Sequence, residues 1–245
     1  MLCQRLTRGL AVVVAVVAMV AMAGSLQADM IITVQCTAGG LSATQAIPLV
    51  YNEATADWRM SNPIDIMAGS VQLATVNSLS IQSDSDPSVN LLFGVAAGAT
   101  NTTFDIQSAV VSFSSLTNPQ AYASAGVTLT SDSAGAALTG LFDGGKTYQA
   151  RYNGTFVYAN LVDGFTISGG QTITHGDREP ASGNELISDT LSSIQSEFNF
   201  TLSAQEQASG TSRFEVNSGS TVPEPATLSL LALGGLALLR RRRGK

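Results

Sequence analysis

Residues 148–159 read YQARYNGTFVYA, two aromatic and β-branched stretches around Asn153-Gly154. An Asn-Gly pair accepts the positive φ angles of a type I′ turn, the commonest two-residue hairpin connection. The spacing predicts a hairpin that pairs Tyr152 with Thr155, Ala150 with Val157 and Tyr148 with Ala159 on one face. Arg151 then stands opposite Phe156, and Gln149 opposite Tyr158, on the other face.

The chain keeps this character on both sides of the hairpin. Short apolar runs alternate with Gly, Ser, Asn and Asp, and helix-period segments are scarce. Strands are expected over residues 31–36, 47–51, 71–76, 79–82, 89–95, 103–113 and 127–130. In 103–113, Phe104 and Ile106 share one phase while Val111 and Phe113 share the other, which calls for a bulge or a strand buried on both faces. Residues 169–183 read as an irregular polar stretch. A last hairpin is expected with Phe198, Phe200 and Leu202 inward, a turn at Ser209-Gly210, and Phe214 and Val216 on the return. The pattern predicts an all-β body, an antiparallel β-sandwich with jelly-roll-like connections.

The two ends differ from this body. Arg5 and Arg8 precede an unbroken apolar run over 10–23, and small residues follow. Residues 1–28 read as a secretory signal helix cleaved after Ala28, with Ala23 as the alternative. The body is then 29–217, residues 218–221 form a short polar linker, and 222–245 form a distinct tail. Between 29 and 221 there are 5 basic and 17 acidic residues, a net charge of −12 against −6 for the whole chain. Phosphate contacts need clustered Lys and Arg, so no nucleic-acid partner is expected. Cys3 lies in the signal, which leaves Cys36 unpaired in the body and expected as a small buried residue on a strand.

The tail reads TVPEPATLSLLALGGLALLRRRRGK. Pro223 and Pro225 fix their own φ angles and push Val222 and Glu224 towards extended backbone, so a stiff peptide presents one carboxylate. Residues 226–239 are apolar, and as a transmembrane helix they cover about 21 Å of a core near 30 Å thick. Arg240, Arg241, Arg242 and Arg243, within the basic end 240–245, hold that end in the cytoplasm. The N-terminal signal demands the same orientation, with the body outside.

Val222, Pro223, Glu224 and Pro225, then the apolar run and the arginines, resemble the PEP-CTERM sorting signal of Gram-negative bacteria. The resemblance implies recognition by an exosortase, a membrane-embedded, cysteine-dependent, transpeptidase-like enzyme. It also implies cleavage at or near Pro-Glu-Pro and delivery of the body to the cell surface or the biofilm matrix. Expected partners are the Sec-type export machinery, signal peptidase, the exosortase and, transiently, the inner membrane. The resemblance covers only about the last 25 residues and says nothing of the body.

Within the body, chemistry is thinly signalled. His175 is the only histidine and has Asp177 and Glu179 beside it; one His cannot supply a multi-His zinc site, and no G-x-S-x-G elbow accompanies it. A charged surface loop is expected there. Asp84 and Asp86 form an Asp-x-Asp, a weak candidate for a hard cation without the full loop pattern. Trp58 is expected in core or hairpin packing, although a Trp also suits sugar stacking. Asn101, Asn153 and Asn199 begin Asn-x-Thr triplets that chance composition explains. No cofactor is implied. The expectation is a non-enzymatic surface or matrix protein; the alternatives are a module binding exopolysaccharide and a secreted hydrolase.

Overall fold

The computed structural model describes residues 30–84 and 87–218. The expected signal helix, the membrane segment 226–239, the motif Val222–Pro225 and Asp86 lie outside the described residues.

The described chain is all-β and antiparallel. Its strands are β1 (Met30–Ala38), β2 (Leu41–Asn52), β3 (Asp57–Arg59), β4 (Ile64–Ala68), β5 (Val71–Asp84), β6 (Ser88–Ala97), β7 (Thr102–Gln107), β8 (Val111–Thr117), β9 (Gln120–Thr130), β10 (Ala136–Gly140), β11 (Lys146–Tyr152), β12 (Phe156–Asp163), β13 (Phe165–Ile167), β14 (Thr172–Glu179), β15 (Glu185–Leu186), β16 (Thr190–Leu202) and β17 (Gln207–Asn217). One 3-10 turn, Asp143–Gly145, interrupts them.

Two layers face each other. In the first, β2 pairs β1, β1 pairs β7, and β16 takes β7 and β8 on one flank and β11 and β10 on the other. β12 and β13 complete that side. In the second layer, β3 and β4 follow one edge of β5, and β6, β17, β9 and then β14 with β15 continue from its other edge. A sandwich of separate sheets was the expectation, but here one strand joins the layers. β2 pairs β1 as far as Leu49 and β3 from Val50 onward, so a single ladder bends round and nearly closes into a barrel.

The core lies between the layers. Phe93 of β6 meets Phe198 edge-on at 4.8 Å between centroids and stacks on Phe200 at 5.5 Å. Aromatic pairs at such distances add about 0.5–1.5 kcal/mol beyond the area they bury. Strand alternation sets the faces: on β1, Ile32, Val34 and Cys36 are buried while Ile31, Thr33 and Gln35 are exposed. Burial pushes the Cys36 thiol up to about 12.

Two expected pairings change, and the expected phase switch takes a definite form. The hairpin at 148–159 turns through three residues, with Asn153 and Gly154 at φ of 48° and 79°, so that Tyr152 faces Phe156. A bulge beside Ala150 then shifts the pairing again, and Tyr148 meets Leu161. Two one-residue shifts restore the original face, which is why Tyr148, Ala150, Ala159 and Leu161 are all buried. Val157, expected opposite Ala150, is exposed.

The phase switch in 103–113 is a break. β7 and β8 follow the same edge of β16, but three residues between Gln107 and Val111 oppose two between Glu197 and Ile194. That extra residue flips the phase, as a bulge does. Ser108 anchors it, exchanging hydrogen bonds with the Ser196 backbone at 2.9 and 3.0 Å.

β16 and β17 are not a hairpin. Residues 203–206 cross between layers, and β17 pairs β6 and β9. Ser209-Gly210, expected as the turn, lies inside β17, where Gly210 faces Phe93 and a Cβ would collide with its ring. The glycine makes room for the aromatic.

Candidate functional site

The open seam of the near-barrel lies between β12–β13 and β14. The stretch expected to be irregular, 169–183, contains β14, an edge strand on β9 that runs from Thr172 opposite Thr130 to Glu179 opposite Ala123. Its odd-numbered side chains project towards the opposite layer. His175 lies flat on Phe165, with centroids 4.1 Å apart and planes 8° from parallel. Lys146 reaches Asp163 at 3.0 Å and Asp177 at 3.8 Å, tying the two margins together. The Tyr158 hydroxyl donates to the Ala121 carbonyl at 2.8 Å while its ring stacks on Phe214 at 5.2 Å. Burial, with Glu185 and Glu179 nearby, pushes the Tyr158 hydroxyl well above its ordinary pKa. The residues nominated for acid–base chemistry thus sit on a strand and fasten the seam. A groove of about 440 Å³ beside them is lined by Gly140, Gly144, Gly145 and Gly164 with Asp163 and Phe165.

A second groove, of about 500 Å³, runs over the outer face of β5. Ser78, Ser80 and Gln82 line it at alternate positions, with Met60 and Leu92 as apolar contacts and Arg59 at its wall. The Arg59 Nε donates to Asp57 at 2.6 Å, and Thr55 donates to the same carboxylate. Burial pushes the Asp57 carboxyl up, but the Thr55 and Arg59 hydrogen bonds and the Arg59 charge outweigh it and hold the pKa below its usual value. Trp58 alternates with these residues, so it turns to the core and meets Tyr51 at 5.2 Å.

The remaining cations are also engaged. Arg178 lies over the Tyr122 ring at 4.6 Å and donates to the Pro180 and Gly183 carbonyls. Arg213 pairs with Glu215, which accepts the Tyr122 hydroxyl at 3.1 Å. Arg151 pairs with Glu197, buried on the outer face of β16. Glu197 alternates with the inward Phe198, and Arg151 is the partner that its buried carboxylate needs; only the three-dimensional register brings the two together.

Asp84 ends β5 and is exposed, and among the described residues no three metal-capable side chains converge. Of the Asn-x-Thr triplets, Asn153 is held by Thr190 and Ser192, and Asn101 accepts the Ala204 N–H at 3.1 Å. The Oδ1 of Asn199 is buried.

Comparison with solved structures finds distant likenesses. The adhesin domain of Epf from Streptococcus pyogenes is 7% identical, with a TM-score of 0.33 over 76% of this chain and 57% of that one. The infectious bursal disease virus Gx strain structure is 12% identical, with a TM-score of 0.30 over 81% and 54%. The arabinose-bound MgGH51 α-L-arabinofuranosidase is 12% identical, with a TM-score of 0.26 over 67% and 24%. This chain therefore spans well under two thirds of each. Values this low establish neither ancestry nor shared activity. No curated protein matches the chain. A family described as "PEP-CTERM protein-sorting motif" matches residues 221–243, where the Pro-Glu-Pro, the apolar run and the arginines stand in order. The chain carries a PEP-CTERM protein-sorting motif at its C-terminus.

Proposed function

We propose that this chain is an exported protein, processed by an exosortase at Pro223-Glu224-Pro225, whose β-domain serves at the cell surface or in the extracellular matrix. The observation that carries this reading is the sorting motif at 221–243. Export through a Sec-type route with signal peptidase cleavage near Ala28 comes first. The apolar segment 226–239 then pauses the precursor in the inner membrane with Arg240–Arg243 inside, and the exosortase releases the body. The domain's role is non-catalytic: adhesion, matrix structure or surface coating. In support, His175 and Asp177 are occupied in fastening the seam. Glu224→Ala, or deletion of 240–243, should leave full-length precursor in the inner membrane; normal release of both variants would contradict the reading.

A second reading, binding of exopolysaccharide, is favoured by the groove over β5. Its hydroxyl and amide groups recur about every 7 Å along the strand, with apolar Leu92 and Met60 on either side of it and Arg59 at the wall. That lining suits a hydroxylated chain. Glycan binding abolished by Gln82→Ala and Arg59→Ala would establish it; binding unchanged in both would remove it.

A further inference from the structure

The ladder has margins of very different kinds. The β12–β13 and β14 margins face one another and are fastened by the His175–Phe165 stack, the Lys146 ion pairs and Tyr158. β4 is a five-residue margin that carries Asp65. Residues 41–49 of β2 differ from both. They pair β1 on one side, and among the described residues no strand pairs them on the other.

The turn fixes which backbone groups are open. Ala38 and Leu41 flank the two-residue turn Gly39-Gly40, at φ of 56° and 80°, and so form a hydrogen-bonded pair. Bonding to β1 then falls on the odd-numbered residues of β2. Ser42, Thr44 and Ala46 point their N–H and C=O groups away from the sheet. Pro48 points outward too, at a position where a missing N–H costs the β1 ladder nothing. The Gln45 side-chain amide donates to the Ala46 carbonyl at 3.2 Å, a weak local contact that a pairing strand replaces.

Exposed edges are usually guarded by charge, above all lysine. Residues 30–52 contain no Asp, Glu, Lys, Arg or His, in a body of net charge −12. The β1–β2 corner is thus where two copies of this acidic body approach with least repulsion. Ile31 and Val50, exposed at 48% and 62%, and exposed Pro48 add apolar surface at its end.

We propose that the free edge of β2 pairs with β2 of a second copy, antiparallel about a two-fold axis at Thr44. An isologous contact pairs each residue reciprocally. With the axis at Thr44, Ser42 faces Ala46 of the other copy and Thr44 faces its equivalent, so six N–H···O bonds form with every donor present. An axis at Gln45 would set Ser42 opposite Pro48 and lose a donor on each side. The side chains beside the axis are small, which lets the backbones approach. This association concerns the domain itself and is independent of how the chain is sorted.

Sedimentation velocity of the exported protein across a concentration series tests it. A monomer–dimer equilibrium is expected. Thr44→Pro keeps the β1 ladder, because that N–H points outward, but removes two intermolecular bonds; the dimer dissociation constant should rise about tenfold or more. Thr44→Cys should crosslink two copies on mild oxidation, since such pairs hold their Cα atoms about 5.5 Å apart, within disulfide range. Cys36 is fully buried and does not compete. A monomer at every concentration, a dimer that Thr44→Pro leaves unchanged, or an oxidised Thr44→Cys that stays monomeric each overturns the proposal. So does a monomer whose amides at 42, 44 and 46 resist hydrogen exchange, which would mean that the chain's own tail covers the edge.

Discussion

His175 and Phe165 stack face to face across the seam between β13 and β14, 4.1 Å between ring centroids. β14 carries one of these rings and β13 the other; among the described residues β13 pairs β10 and β14 pairs β9, with no ladder between the two. The stack and the Lys146 ion pairs do by side chain what hydrogen bonds do elsewhere in the sheet.

Removing that stack should loosen the seam locally. His175→Ala is expected to cost about 0.5–1.5 kcal/mol, the usual worth of such a ring pair. Hydrogen exchange should quicken in residues 165–179 and stay unchanged in β5, β6 and β17. Uniform quickening across the domain would show that the seam is not a separate element.

Gly210 should tolerate no side chain. A Cβ there meets the Phe93 ring, which itself packs on Phe198 and Phe200. Gly210→Ala is expected to lower unfolding free energy by about 1–3 kcal/mol, the range for overpacked cores. The midpoint of urea unfolding measures it, and an unchanged midpoint would place Phe93 elsewhere.

Two substitutions at Asn153 should separate turn strain from hydrogen bonding. Its amide donates to the Thr190 carbonyl at 2.8 Å, and its Oδ1 accepts the Ser192 N–H at 2.9 Å, with φ at 48°. Asn153→Gly keeps the conformation and loses the bonds, costing about 1–2 kcal/mol. Asn153→Ala adds left-handed strain of about 1 kcal/mol and should be the less stable of the two. Equal stabilities would contradict this account of the turn.

Glu206 gives a pH signature. It is buried, and its Oε2 accepts the Asp132 N–H at 3.1 Å. Burial pushes its carboxyl pKa up, and the nearby Asp132 charge adds to that although the backbone bond opposes it. A pKa raised by folding means the charged form destabilises the fold at neutral pH, and the penalty disappears as pH falls through the folded pKa. Glu206→Gln keeps the acceptor and should melt higher than the parent at pH 7. The gap should shrink towards zero below the ordinary carboxylate range. A gap that persists there would show that packing rather than charge is responsible.

The parts of the fold legible in the sequence are those that local periodicity controls. Phe198, Phe200, Leu202, Phe214 and Val216 all face inward as their alternation requires. Alternation cannot say which strand lies next to which, so β16 and β17 read as a hairpin although their connection crosses between layers. Gly210 read as a turn residue because its reason, the Phe93 ring, lies 117 positions away in sequence. Gly39-Gly40 was an available signal for the β1–β2 hairpin, since two residues at positive φ between apolar stretches mark a tight turn. The sorting motif was readable for a different reason: it is a linear pattern of stiffness, grease and charge that needs no fold to be recognised. His175 and Asp177 were ambiguous because their partners, Phe165 and Lys146, are set only by the seam.

The most direct test of the sorting account is the intact mass of the protein recovered from outside the cell. The account predicts a chain that begins near Asp29 and ends at or near Pro223-Glu224-Pro225, without residues 226–245. An external protein with the mass of all 245 residues, Met1 and Lys245 included, would contradict it.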